Sequence, residues 1–274
     1  MRVLHTVEDL RSFRRAARGS VGLVPTMGGL HEGHLSLVRL AQAHSDVVVV
    51  SIYVNPTQFP AATDFQTYPR TWEADRQALE ALSIDAVFLP TDEVMYPEGV
   101  AAPVHVKGLT ARWEGAHRPG HFDGVCTVVA KLFSVIRPDI ASFGEKDYQQ
   151  LLVVRRLVAE LDLPIKIVAG ETVRAADGLA LSSRNARLTR DERSRAPRLK
   201  QALDAAAQAI TSGEGVTLAL QAQVDRLTTA GFKVDYLALV DGQTLEPIDA
   251  PQPGARLLAA AHLGAVRLID NRPL

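Results

Sequence analysis

The chain has 274 residues, 47% of them hydrophobic, enough to bury a substantial core as one large domain or two ordinary ones, which excludes a disordered polypeptide. With 30 basic and 31 acidic residues the formal charge is -1, so the balance gives no sign of an extended nucleic-acid or membrane patch. The single cysteine, Cys126, excludes an intramolecular disulfide and fits a reducing compartment; set among Val125, Val128 and Val129, it reads as a buried inert thiol rather than a nucleophile.

Met1-Arg-Val-Leu-His begins no signal peptide and no apolar run approaches a membrane span, so a cytoplasmic location is expected. Thr6-Val-Glu-Asp-Leu-Arg carries a capping signal that opens a first helix, and the basic segment Arg14 to Arg18 leads toward Gly19. The apolar run Val21 to Val24 is the first expected strand. It runs into Val24-Pro-Thr-Met-Gly-Gly-Leu-His-Glu-Gly-His34, after which Leu35, Val38 and Ala41 repeat at helical spacing. Strand, glycine turn and helix start together make an anion site: the glycines admit a close ligand, and the first-turn amides and helix dipole favour phosphate. His31 and His34 stand at its mouth. Gly28 and Gly33 have P-loop spacing, but His34 and Leu35 occupy the positions of the lysine and hydroxyl. His31-Glu-Gly-His34 resembles a zinc-protease helix, yet the second histidine comes one residue too early for a shared helical face. Two merely exposed loop histidines remain an alternative at this point.

Val47 to Val54 is a nearly continuous β-branched run of the kind buried on both faces of a parallel sheet, completing a βαβ unit. Asn55-Pro-Thr-Gln-Phe59 follows at its carboxyl end, where ligands collect in open α/β sheets, so Asn55 and Gln58 are substrate candidates; an ordinary Asn-Pro turn is the alternative. Trp72 to Leu82 reads as a helix, Ala86 to Leu89 as a strand, and Pro90 to Pro97 as an irregular connection. Between Gly108 and Gly124 a polar loop carries Trp113, Glu114, His117, Arg118, His121 and Asp123, ahead of an apolar helix over Val125 to Ile136. Ile140 to Phe143 is a strand that ends in Gly144-Glu-Lys-Asp147, placing Lys146 and Asp147 on the same side of the sheet as the histidines. There Lys146 suits a phosphate and Asp147 a ribose or a hydrated metal ion. Ile165 to Ala169 is another strand and Asp177-Gly178 a tight turn. Leu181-Ser-Ser-Arg-Asn185 has the hydroxyls and guanidinium of a loop that closes on a triphosphate. At Thr189-Arg-Asp-Glu192 a capping box opens a long alanine-rich helix, the composition shifts, and the domain boundary is placed near Asn185. A second helix over Val216 to Ala230 and strands over Val234 to Val240, Arg256 to His262 and Val266 to Asp270 make a small α+β unit.

Taken together, Pro25 to His34, Asn55 to Phe59, Glu114 to Phe122, Phe143 to Gln150 and Leu181 to Asn185 resemble the pantoate–β-alanine ligase family, in order and spacing, over nearly the whole chain. The first and last motifs also resemble the two signatures of class I aminoacyl-tRNA synthetases and their nucleotidyltransferase relatives. That signature has lysines where this chain has Ala180 and Ser183, which shifts phosphate neutralisation to Lys146 and Arg184. The resemblance implies an α/β fold: a Rossmann-like parallel-sheet domain over residues 1–185 that binds ATP and pantoate, and a smaller α+β lid over residues 186–274. It implies a homodimer, ATP and Mg2+ as cofactors, no metal-ligating protein cluster, and no nucleic-acid or membrane partner. The implied reaction adenylates pantoate with loss of pyrophosphate, and the amine of β-alanine then displaces AMP. His31, His34, Lys146 and Arg184 receive catalytic roles. ATP contacts fall on Met27, Gly28, Gly29, Leu30, His31, Glu32, Gly33, His34, Gly144, Glu145, Lys146, Asp147, Val173, Leu181, Ser182, Ser183 and Arg184. Pantoate falls to Gln58 and Gln150, with Asn55 and Arg118 as further substrate-binding candidates. Two other classes compete with this reading: a nucleotide-binding regulatory module without chemistry, and a zinc hydrolase.

Overall fold

The computed structural model describes residues 1–60, 62–100 and 102–274. Its first sheet is built from β1 (Arg2–Leu4), β2 (Val21–Thr26), β3 (Val47–Ile52), β4 (Ala86–Phe88), β5 (Ile140–Gly144) and β6 (Lys166–Gly170). All pairings are parallel, in the order β1-β4-β3-β2-β5-β6. The β-branched run of β3 alternates its burial between two faces. Val48, Val50 and Ile52 join Leu37, Val38 and Leu79 from α2 (Glu32–His44) and α4 (Trp72–Ala81), with α3 (Ala62–Gln66) lying between them in the chain. Val49 and Tyr53 face Leu10 and Phe13 of α1 (Val7–Ala16), together with residues of α7 (His121–Ile136) and α8 (Tyr148–Glu160). The short helices α5 (Asp92–Met95) and α6 (Glu114–His117) lie in the connection before α7. Covering both faces is what a parallel sheet requires, because its strands have no solvated side.

Strand order reverses between β2 and β5: β3 and β4 extend one way from β2, β5 and β6 the other. A crevice opens beyond the carboxyl ends of the strands at such a reversal. The turns that leave β2, β3, β5 and β6 all open there, bringing four segments far apart in sequence to one place.

The second sheet is antiparallel, in the order β7 (Phe232–Asp241), β8 (Ala255–Leu263), β9 (Val266–Pro273), and α10 (Arg198–Thr211) and α11 (Val216–Thr229) pack on it. Leu199, Leu203, Ile210, Leu227, Leu257 and Leu263 form its core, which Leu179 joins from upstream of Asn185.

Four sequence expectations are corrected here. The sheet begins at Arg2 rather than Val21; a three-residue strand is too short to show a period, and its partner Ala86–Phe88 lies far along the chain. The alanine-rich helix is two helices, α9 (Arg190–Arg195) and α10, because Pro197 has no N–H to continue the ladder. The helix expected from Val125 starts at His121: its polar first turn faces the crevice and therefore reads as loop. The irregular connection after β4 also contains the helical turn α5.

Candidate functional site

The crevice holds a cavity of about 200 Å³ lined by Met27, His31, Gly33 and His34 from the β2 turn, Asn55 and Gln58 from the β3 turn, and Gly144, Lys146, Asp147 and Gln150 after β5. Val173, Leu181, Ser182, Ser183 and Arg184 also line it, with Arg118 and His121 at the start of α7. A second cavity of about 420 Å³ shares Arg118, Lys146, Asp147, Ser182 and Arg184 with the first and extends toward Asp235, His262 and Arg267 of the antiparallel sheet. Most residues singled out in the sequence therefore meet. The exceptions have other partners. Glu32 pairs outward with Arg39. Glu145 faces Arg256 at 3.5 Å. Gly28, Gly29 and Leu30 form the turn behind the cavity wall rather than the wall itself.

That turn is held by Asp75, a buried carboxylate on α4 that sequence reading passed over. It accepts the Gly29 amide at 2.9 Å, the Leu30 amide at 2.8 Å and the Thr71 hydroxyl at 3.1 Å. Gly28 and Gly29 have φ of +80° and +61°, which glycine adopts without strain. A signal was available: Asp75 lies with Trp72 and Leu79 on the apolar face of its helix, where an unpaired carboxylate would be costly. Its partners are those amides, so the phosphate-directed donors of this loop are the imidazoles and the α2 start, not the glycine turn.

The two imidazoles cap α2 and each other. His31 Nδ1 accepts the Gly33 amide at 3.1 Å, and His34 Nδ1 accepts the His31 amide at 3.3 Å. A backbone N–H can only donate, so both Nδ1 atoms are unprotonated and the neutral rings carry their protons on Nε2. Desolvation pushes the pKa of His31 down to about 4, helped by the charge of Lys146, and that of His34 down to about 3, helped by His31. The pair is thus a pair of uncharged donors at neutral pH, with ring centres 4.1 Å apart.

Gln58 is oriented by its surroundings. Its Oε1 accepts from Asn55 Nδ2 at 3.1 Å, which leaves its amide N–H groups as the donors, beside Met27 Sδ at 3.0 Å. Orienting Gln58 occupies Asn55, which also donates to the Gly124 carbonyl while its Oδ1 takes the hydroxyls of Thr57 and Tyr96. The Pro56–Gln58 turn lies so close to α7 that a Cβ on Gly124 would sit 2.4 Å from the Thr57 carbonyl oxygen, so glycine there is a packing requirement. His121 Nδ1 donates to the Gln58 carbonyl at 2.7 Å and its Nε2 accepts from Arg118 at 3.0 Å. Burial, then the charge of Arg118, pushes its pKa down to about 4.

Lys146 rides on a 3-10 turn, Glu145–Asp147, gripped by the second unit: Asn271 Nδ2 donates to the carbonyls of Glu145 at 2.9 Å and Lys146 at 3.0 Å. Sequence reading could not pair residues this distant. Arg184 is drawn to Asp64, 2.8 Å away, and sits over the Tyr68 ring.

A consequence for stability follows from the neutral imidazoles. Their folded pKa values lie below the ordinary 6.5, so the unfolded chain binds more protons below that pH, and stability falls as pH drops through 6.5. Between pH 7.5 and 5.5 the loss is expected to be roughly 1 kcal/mol for each of His34 and His121, read from urea unfolding midpoints. His34→Asn should abolish its share of the slope. Midpoints unchanged over this range would mean that the folded rings titrate as the unfolded ones do, and midpoints that rise on acidification would mean that the rings are charged in the fold.

Comparison with known proteins comes to one answer. The family model described as pantoate-beta-alanine ligase matches residues 2–273. The pantothenate synthetase of Cereibacter sphaeroides is 54% identical, covering 99% of each chain, and that of Rhizorhabdus wittichii 51% identical, covering 99% of this chain and 98% of the relative. Among solved structures, the Thermus thermophilus pantothenate synthetase superposes with a TM-score of 0.95 at 50% identity, covering 99% of each chain. The Francisella tularensis pantoate-beta-alanine ligase, complexed with beta-gamma ATP and β-alanine, superposes with a TM-score of 0.87 at 35% identity, covering 100% of this chain and 97% of that one.

Proposed function

The chain belongs to the pantoate–β-alanine ligase family and catalyses the ATP-dependent condensation of pantoate with β-alanine to pantothenate, releasing AMP and pyrophosphate; within that activity we propose the following assignment of its residues. ATP lies along Met27, His31, Gly33 and His34 and along Gly144, Lys146 and Asp147, with Val173 and Leu181 to Arg184 over it. Pantoate lies between the amides of Gln58 and Gln150, with Arg118 beside its carboxylate side and Asn55 acting through Gln58.

The observation that carries this assignment is the convergence of Gln58 and Gln150 with an apolar wall of Val125, Val128, Val129 and Leu132, in the same cavity as the imidazole pair and Lys146. Pantoate offers two hydroxyls, a carboxylate and a geminal dimethyl group. Amides suit the first, and the α7 wall suits the last. The carboxylate attacks the α-phosphorus of ATP while pyrophosphate leaves. The Nε2–H groups of His31 and His34 donate to phosphate oxygens, and Lys146 and Arg184 supply the positive charge. In the second half-reaction the free amine of β-alanine attacks the acyl carbon and AMP leaves. Positioning and exclusion of water suffice for that step without a protein nucleophile. Cys126 is fully buried, and burial pushes its thiol up to about 12, consistent with no thioester.

Magnesium fits as an ion held mainly by the triphosphate. Mg2+ keeps waters and takes one or two carboxylates plus phosphate oxygens. Asp147 and Glu171 are carboxylates that line the cavity, and no cluster of three His, Cys, Asp or Glu side chains exists among the described residues. When bound, the ion neutralises phosphate charge and orients the leaving group. We further propose a division into residues 1–185 and 186–274 with the second unit as a lid, a homodimer, and a cytoplasmic location. No helix among the described residues is long and apolar enough to cross a membrane.

Pyrophosphate release tests the assignment of chemistry. With ATP and pantoate alone, one equivalent per site is expected; adding β-alanine should convert this to steady turnover with AMP. ATP binding without pyrophosphate in the presence of pantoate would leave only a nucleotide sensor. Gln58→Ala should raise the pantoate requirement with ATP affinity unchanged, a lost neutral hydrogen bond costing about 0.5 to 1.5 kcal/mol. Equal weakening of both ligands, measured by titration with a non-hydrolysable ATP analogue, would instead place Gln58 in the nucleotide site.

A further inference from the structure

Arg184, assigned above to the triphosphate, already holds an anion. Its Nη2 lies 2.8 Å from Asp64 Oδ2 and its Nε 3.4 Å from Oδ1, while Arg187 Nη1 reaches Oδ1 at 2.8 Å. The Tyr68 ring lies 5.4 Å from the guanidinium carbon of Arg184, and its hydroxyl is 3.4 Å from Ser183 Oγ. Asp64 belongs to α3, after β3. The two arginines belong to the 3-10 turn Ser183–Arg187, which leads into the second unit. One carboxylate therefore ties the closing loop down at the mouth shared by the two cavities.

A guanidinium fork meets a carboxylate and a phosphate with the same planar edge, so Arg184 cannot offer that edge to both at once. We infer that Asp64 is an internal stand-in for a phosphate group: it holds Arg184 while the site is empty of nucleotide and gives it up, keeping Arg187, when the triphosphate arrives. The inference rests on the reading of Arg184 as a triphosphate ligand. The second arginine is what makes the exchange feasible, because Asp64 is never left without a partner. The triphosphate carries several charges against one, so it wins the fork, whereas a singly charged carboxylate such as that of pantoate gains nothing over the resident one. Closure of the loop is thereby tied to nucleotide rather than to either carboxylate substrate. The device lowers affinity, since only molecules with Arg184 released bind fully, and apparent affinity scales with that fraction. Asp64 is a positioning residue acting through Arg184.

All three side chains are about a quarter exposed, so the competition is modest. Asp64→Asn is expected to bind a non-hydrolysable ATP analogue and inorganic tripolyphosphate roughly three- to tenfold more tightly than the wild-type chain. Arg184→Gln should bind both more weakly, and the double variant should match Arg184→Gln alone. Asp64→Glu, which keeps the charge, should stay near wild type, and Asp64→Ser reads the same effect should Asp64→Asn fold poorly. Unchanged or weaker binding in Asp64→Asn overturns the inference and leaves Arg184 its phosphate role. Tightening that persists in the double variant overturns it as well, since the gain would not pass through Arg184. Wild-type affinity in Arg184→Gln removes both readings together.

Discussion

Replacing His34 with alanine is expected to slow pyrophosphate release by two to three orders of magnitude in a single turnover, while pantoate still binds. The Nε2–H of this ring is a neutral donor locked in place, since its Nδ1 is engaged by the His31 amide. Removing one preorganised donor from developing transition-state charge costs about 3 to 4 kcal/mol, and each 1.36 kcal/mol is about a factor of ten in rate. Because the ring is neutral, the loss should be independent of pH between about 6 and 8, whereas an imidazolium would lose its effect across that interval. Lys146→Ala should fall comparably, through lost charge. Near-wild-type single-turnover rates in His34→Ala would remove it from the chemistry and leave it as a helix cap. A loss that deepens steadily with falling pH would mean that the wild-type ring works charged.

The sequence showed this site more fully than it showed the supports beneath it. Val47 to Val54 had to be a buried parallel strand, and the segments flanking it had to end at one edge of the sheet, so His31, His34, Gln58 and Lys146 could be placed together from the residues alone. What remained hidden depends on pairing across distance. Asn271 steadies Lys146 from the last strand, and His121 steadies the Gln58 turn. Asp64 captures Arg184 from a segment that carries no period at all. No local pattern encodes contacts that span 63, 120 or 125 positions. Asp75 differs, because a carboxylate on an apolar helix face is a local anomaly that asks for backbone donors. Asn55 lines the cavity its position pointed to, with each end of its amide already occupied by the protein.

Glu114→Ala should destabilise the fold by about 3 kcal/mol, toward the lower end of what breaking a buried ion pair costs. Its carboxylate is buried where α6 meets the antiparallel sheet, accepting the Tyr236 hydroxyl and Arg267 Nη1, both at 2.7 Å, with Arg118 at 3.8 Å. Burial alone would raise its pKa; the hydrogen bond and charge of Arg267, the Tyr236 hydroxyl and Arg118 outweigh that and hold it below the ordinary carboxylate range. A depressed carboxyl contributes its stability above the unfolded pKa and loses it as pH falls through the folded one, so the full effect is present at pH 7.5. Alanine leaves Arg267 and Arg118 partly buried without this partner, although Asp235 still meets Arg267 at 2.7 Å, which sets the cost toward the lower end. Urea unfolding should show the midpoint shift with the slope unchanged. Glu114→Leu combined with Arg267→Met and Asp235→Asn, which leaves no carboxylate stranded beside the lost arginine, should recover most of the loss, because the penalty belongs to stranded charge rather than to missing attraction. A single-variant loss under about 1 kcal/mol would mean that water already screens the network, and the join between the two sheets would then rest on contacts such as Trp113 Nε1 to the Leu245 carbonyl at 2.9 Å and Tyr148 to the Gly242 carbonyl at 2.7 Å.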